Sequence, residues 1–354
     1  MGFNDSSTFA DAATDDALVA EVCAEYGART RERLKTYLPE DEAGNHLPQL
    51  LADYPGRGGK MLRPSLCIAT ARAFGGSIED ALPCAASIEL LHNAMLIHDD
   101  IEDESEERRG TPTLHAIHGM PIAINAGDAL GLLSMRPLKE NVRQLGSALS
   151  YRIVEETERM AWESTEGQAL ELAWRHEKRS DIDDEDYLTM VLKKTCWLTT
   201  IHPLRVGCLI GARGRVPIDP LIRLGFFFGA AFQIQDDLLN LEPGANYGKE
   251  VAGDLLEGKR TLMLIHAMRS ATDLERLRLK EFLDLDRVRR SATDVRWILD
   301  LMVRTGALEH ARLVARGLAG AALYELTQSF GGQADSRDLR FIRALVTWVL
   351  RRLH

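Results

Sequence analysis

The chain has 354 residues, with 43 basic and 53 acidic side chains and a formal net charge of -10. A hydrophobic fraction of 45% is enough for a large core, and the acidic balance excludes nucleic acid as a default partner. Anionic ligands are not excluded, because local charge decides those.

Ala, Leu, Arg and Glu dominate, and no run alternates in the manner of a strand, so an all-α fold in one large domain over 1–354 is expected. Five cysteines, at 23, 67, 84, 196 and 208, show no paired CxxC spacing, and the N-terminus does not resemble a cleavable leader. A reduced, cytoplasmic setting is the simplest expectation. The most apolar stretch, Leu224 to Ile234, is about half of the roughly 20 residues a membrane span needs, so any membrane contact is peripheral.

In chain order, residues 1–14 are small and polar and read as frayed, and Val19, Val22, Cys23, Tyr26 and Leu34 then mark a helix over 15–38 that Pro39 stops. Residues 47–59 read as a short turn and a glycine-rich loop ending in GRGGKMLRP. There Gly58 and Gly59 permit close backbone approach to a ligand, and Arg57, Lys60 and Arg63 crowd together. A helix over 65–74 is closed by Gly75 and Gly76. Ser77 with Asp80 then starts a long helix from Ile78 to about Asp103.

That helix ends in seven carboxylates within nine residues, Asp99 to Glu107, followed by Arg108 and Arg109. Asp99 and Asp103 are four apart and share a helical face, with His92 two turns below. Like charges at this spacing repel, so a cation is expected between them. Oxygen ligands favour Mg²⁺.

Further on, 122–133 is apolar enough to be buried, and 136–175 reads as one or two amphipathic helices that carry Gln168 and Glu171. Ser180, Asp181 and Asp183 are N-cap candidates for a helix through Lys193, Lys194 and Thr195. A helix from near Pro217 or Asp219 runs to Asp236, Asp237 and Asn240, repeating the spacing of the first acidic cluster. Lys249 and Lys259 follow in a glycine-rich segment, and the remaining helices, to about Leu353, suggest packing rather than chemistry.

Two apolar helices that each end in a pair of aspartates, far apart in the chain, have no local reason to match. A shared metal site supplies one. The clusters could hold Mg²⁺ against a diphosphate, with Arg108, Lys194, Lys249 and Lys259 neutralising the remaining charge. Lys60, Arg63 and Arg109 would suit a second anion. Two phosphate sites without a nucleophile triad point to ionisation of an allylic diphosphate, whose cation needs a dry apolar pocket between helices.

The ordered set GGKMLRP, LIHDDIEDESEERRGTPT, INAGDAL, GQALEL, KKT, FQIQDDLLN and GKEVAGDLLEGKRT covers about residues 56–268. It resembles the signature of the trans-isoprenyl diphosphate synthases, of the geranylgeranyl diphosphate synthase-like kind. The resemblance implies a bundle of long helices, usually a homodimer, that joins isopentenyl diphosphate head-to-tail to an allylic diphosphate with Mg²⁺. It implies that Asp99, Asp103 and Asp236 bind the metals, supported by Asp100 and Asp237, with Asn240 standing where many members carry a third aspartate. Arg108, Lys194, Lys249 and Lys259 would contact the allylic diphosphate. Gly59, Lys60, Arg63, His92 and Arg109 would bind isopentenyl diphosphate, while Thr195 and Gln233 would place oxygen dipoles near the cation. Glu171 replaces the family's usual aspartate, a longer reach with the same charge. Ala94, small where shorter-chain members carry an aromatic, and Met95 are expected below the first motif, in a pocket that extends past fifteen carbons and suits a product of about twenty, with twenty-five or longer as the alternative.

Two other classes fit parts of the pattern. A class I terpene cyclase would keep the metal motifs but have no use for a second diphosphate site at Lys60, Arg63 and Arg109. A silent partner subunit would be free to lose both aspartate motifs, which are present.

Overall fold

A computed structural model describes residues 5–40, 46–241 and 251–351. The chain is a bundle of seventeen α-helices among the described residues: α1 (Asp5–Lys35), α2 (Leu47–Gly56), α3 (Leu62–Ala73), α4 (Ile78–Glu102), α5 (Leu114–His118), α6 (Met120–Leu133), α7 (Met135–Leu145), α8 (Ser147–His176), α9 (Asp184–Val191), α10 (His202–Gly211), α11 (Pro220–Leu241), α12 (Gly253–Glu257), α13 (Leu262–Ser270), α14 (Asp273–Asp284), α15 (Ala292–Arg304), α16 (Ala307–Phe330) and α17 (Arg337–Arg351). A π-helical segment, Leu192–Ile201, joins α9 to α10. The one ribbon among the described residues pairs Glu107 with Pro112 and Arg108 with Thr111, antiparallel. All of this bears out the all-α expectation.

The helix boundaries follow local chemistry. Ser77 and Asp80 form a reciprocal capping box at the start of α4, and Asp183 with Asp186 does the same for α9, satisfying N–H groups that the first turn leaves unpaired. Arg109 and Gly110 have φ of 57° and 71°, the left-handed pair that a two-residue hairpin demands. Arg109 thus sits in the turn itself, and Arg108 at the last pair of the ribbon.

Three readings are corrected. Residues expected to fray are helical from Asp5. The supposed turn after Leu47 is helix α2, hidden because Pro48 occupies its first turn, where proline is tolerated, and Pro55 its last. Helix α6 is only half-buried: Ala123, Ala126 and Leu130 face inward, while Ile122, Ile124 and Leu132 are exposed.

Three apolar clusters frame the bundle. One joins α1, α3, α10 and α17, a second joins the π segment, α11 and α13–α16, and a third joins α2, α4 and α6. Helix α4 touches all three through different faces, with Cys84 and Ile88 in the first, Met95 against the second and Ala94 in the third. No helix among the described residues is long and apolar enough to cross a membrane.

Candidate active site

A cavity of about 310 Å³ opens between α4, α8, the π segment, α11 and α12. Asp99 and Asp236 both line it, as do Arg63, His92, Arg108, Lys194, Thr195, Gln233 and Lys259. Met95, Leu198 and Phe232 supply apolar wall. Polar head groups and apolar surface thus share one enclosure, as an amphiphilic ligand requires.

The first acidic motif is heavily compensated by cations. Lys194 Nζ lies 3.3 Å from Asp99 Oδ1 and 2.8 Å from Glu171 Oε2. Arg108 bonds Asp100 through Nε at 2.8 Å and reaches Asp99 Oδ2 at 3.3 Å. Asp103 is pinned on both oxygens, by Arg175 at 2.8 Å and Lys259 at 2.7 Å. These neighbours raise Lys194 and Lys259 above an ordinary lysine despite burial, so both carry charge at neutral pH.

Within the second motif the two aspartates differ. Asp237 is buried, accepts from Tyr187 Oη at 2.7 Å and from Gln233 Nε2 at 2.6 Å, and is pushed up to about 7 by burial and by Asp254. Thr195 Oγ1 donates to Gln233 Oε1 at 2.8 Å, so Thr195, Gln233 and Asp237 form one relay along the cavity wall.

The set expected to hold a second anion is divided. Arg63 and His92 line the cavity; burial brings the Arg63 guanidinium down to about 10 and, aided by Arg63, the His92 imidazole to about 4. His92 is therefore neutral at pH 7 and offers one N–H. Arg109 donates to the carbonyls of Gly58 and Tyr54 and rests its guanidinium against Gly59. Gly59 and Lys60 border a separate pocket of about 300 Å³ with Trp348, whose ring lies 5.2 Å from Lys60 Nζ.

Some expected positions stand elsewhere. Asp100, Asp103 and Asn240 are buried and do not line the cavity. Asn240 instead accepts the N–H of Asp254 at 3.1 Å, tying α11 to the start of α12. Ala94, expected to border the product pocket, packs in the cluster with α6, because one residue along a helix turns 100° from Met95. Lys249 lies outside the described residues.

Residues not singled out from the sequence complete the site. Glu89 is buried 3.5 Å from His92 Nδ1 and held below the usual range by His92, Arg63 and Arg109 against the opposing effect of burial. Glu102 lines the cavity and accepts from Gln168 Nε2 at 2.6 Å. The π segment itself had no sequence signal. Its wider turn places Lys194, Thr195, Leu198 and Thr199 on the cavity, and Gly167 allows α8 to approach, since a Cβ there would lie 2.1 Å from Lys194 N.

The polyprenyl synthetase family profile matches residues 45–302. A geranylgeranyl pyrophosphate synthase of Geoglobus acetivorans is 33% identical over 305 residues, 84% of this chain and 89% of that protein. A geranylfarnesyl diphosphate synthase of Aeropyrum pernix is 34% identical, covering 84% of this chain and 91% of that protein. The crystal structure of geranylgeranyl pyrophosphate synthase from Corynebacterium glutamicum, complexed with isoprenyl diphosphate and magnesium, superposes with a TM-score of 0.82 at 26% identity, over 94% of this chain and 99% of that one. With the all-helical bundle, the two aspartate motifs and the cationic cavity already in place, these likenesses assign the chain to the polyprenyl synthetase family of trans-prenyltransferases.

Proposed function

We propose that the cavity binds an allylic diphosphate beside isopentenyl diphosphate and joins them head-to-tail, with a product of twenty carbons and twenty-five as the alternative. The observation that carries this reading is that Asp99, Asp236, Lys194, Arg108 and Lys259 share one enclosure with Met95, Leu198 and Phe232.

The donor set fits Mg²⁺. Among the described residues no three His, Cys, Asp or Glu side chains gather to hold a metal alone, but Mg²⁺ needs only one or two carboxylates when phosphate oxygens complete its shell. Asp99, Asp103 and Asp236 would be the metal ligands in this reading, Asp103 being the one ion-paired to Lys259. Asp100, Asp237 and Asn240 orient the groups around them. When bound, Mg²⁺ supplies Lewis-acid stabilisation of the leaving diphosphate.

The chain's own residues do the rest. Lys194, Lys259 and Arg108, joined by Lys249, hold the allylic diphosphate and stabilise charge as its carbon–oxygen bond breaks. Arg63 and His92 meet the second diphosphate, whose remaining contacts are Gly59, Lys60 and Arg109. The double bond of isopentenyl diphosphate attacks the allylic carbon, and the Thr195–Gln233 pair turns oxygen dipoles toward the positive charge. The departing diphosphate takes the final proton, and Met95, Leu198 and Phe232 keep water from the cation.

The exposed apolar side chains Ile117, Met120, Ile122, Ile124, Leu132 and Met135, all within α5–α7, support a homodimer formed through these helices. The five free cysteines favour a reducing, cytoplasmic setting, with no more than peripheral membrane contact.

The test is to incubate purified protein with Mg²⁺, labelled isopentenyl diphosphate and each allylic diphosphate in turn, and to identify the products by chromatography. A ladder ending at C20 or C25 is expected. Hydrocarbon formed from an allylic diphosphate alone would point instead to a cyclase.

A further inference from the structure

The Asp100 carboxylate is fully buried and does not line the cavity, yet it sits in the middle of the first acidic motif. One of its oxygens takes the Arg108 guanidinium, with Nε at 2.8 Å, and the other accepts the hydroxyl of Tyr54 from α2. Tyr54 is itself buried, and its ring is fixed beneath Arg57, whose guanidinium carbon lies 4.4 Å from the ring centroid. Arg57 is held in turn by Asp53 at 2.6 Å and by the Pro112 carbonyl at 2.9 Å on the ribbon that carries Arg108. The ring has no room to swing, so the hydroxyl has one direction.

We propose that Tyr54 is a positioning residue for the allylic diphosphate: its hydroxyl fixes Asp100, and Asp100 fixes the direction in which Arg108 enters the cavity. The inference rests on the reading of that cavity as the diphosphate site. A guanidinium between two carboxylates, Asp99 and Asp100, could turn to either. Anchoring Asp100 from behind leaves Arg108 with one face committed and the remainder directed at the ligand, so less freedom is lost on binding.

Tyr54 also touches the other arginine, but through a different group. Its backbone carbonyl accepts from Arg109 at 3.5 Å. Replacing the side chain by Phe removes the hydroxyl that serves Arg108 and leaves both the carbonyl and the ring stacked under Arg57. The two diphosphates should therefore respond unequally, which a general loosening of α2 would not produce.

The experiment is calorimetric titration of the parent protein and Tyr54→Phe, in Mg²⁺, with a thiolo analogue of an allylic diphosphate and separately with isopentenyl diphosphate, followed by steady-state kinetics. Loss of one hydrogen bond to a charged group predicts about tenfold weaker binding of the allylic analogue, a matching rise in its KM, and unchanged affinity for isopentenyl diphosphate. Equal weakening of both ligands, or of neither, overturns the inference. Failure of the parent to bind either ligand overturns the diphosphate reading and the inference with it. Should Tyr54→Phe not fold, Asp100→Asn tests the link from Asp100 to Arg108 on which the inference depends, and equal weakening of both ligands there overturns it.

Discussion

Lys194 and Glu171 meet across the contact of α8 with the π segment, ammonium to carboxylate at 2.8 Å. The longer glutamate thus pairs with the lysine while Lys194 still reaches Asp99 at 3.3 Å. This geometry depends on Gly167, because a Cβ there would collide with the Lys194 backbone rather than with a movable side chain. Gly167→Ala should cost about 1–3 kcal/mol of stability and lower turnover, as thermal unfolding and kinetics will show. A variant with parental stability and activity would mean that the helices part without consequence.

Asp99 and Asp236 line the cavity, whereas Asp100 does not. Asp99→Asn or Asp236→Asn should lower kcat by on the order of 10²–10³ with the circular dichroism spectrum unchanged. Normal turnover in either removes that residue from the metal site.

Met95 faces the cavity and Ala94 faces α6, so the two positions should respond differently to the same aromatic. Met95→Phe should shorten the main product with little loss of stability. Ala94→Phe should instead destabilise the fold by about 1–3 kcal/mol, through overpacking of a closed core. Product chromatography and thermal melts separate the two effects, and a shortened product from Ala94→Phe alone would reverse the assignment.

His202 is buried beside Thr157, 3.2 Å from its hydroxyl, and burial with nearby Arg205 brings its imidazole down to about 3. The folded state therefore binds this proton more weakly than the unfolded chain, where the group titrates near 6.5. Its contribution is fully present above that value and declines as pH falls toward 3, by at most about 1.4 kcal/mol per pH unit. Urea unfolding between pH 7 and 4 should show a steeper loss for the parent than for His202→Gln. Identical slopes would assign the acid sensitivity to other groups.

Leu132, near the end of α6, is 77% exposed. Leu132→Glu should convert a dimer to a monomer in sedimentation analysis. A parent that already sediments as a monomer would exclude this face as an interface.

The ends of α4 and α11 were legible because each combines an apolar run with a dense charge cluster, and the site residues on them followed. The division of labour within each cluster was not legible. Asp99 and Asp100 look alike in sequence, yet Lys194 pairs with Asp99 at the cavity while Tyr54, on a helix disguised by two prolines, holds Asp100 behind it. Lys193 and Lys194 present the same difficulty. Lys193 pairs with Glu163 and Glu166 at the rim, and Lys194 turns inward, because the chain takes a π turn there that no spacing rule announces. Glu89 escaped notice for a different reason: His92, three residues on, shares its helical face, but nothing in the sequence brings Arg63 and Arg109 near it.

Helix α4 assigns each neighbouring residue to a different compartment: Ala94 to the packing with α6, Met95 to the cavity, Asp99 to its mouth and Asp100 to Tyr54. Inserting a single residue between Ala94 and Asp99 would rotate one half of this arrangement by about 100° against the other. With the first half held, Asp99 would leave the cavity for the buried place that Asp100 now takes. On the reading that α4 bounds the product, this chain can change product length by exchanging side chains at fixed positions of the helix, but not by lengthening or shortening it.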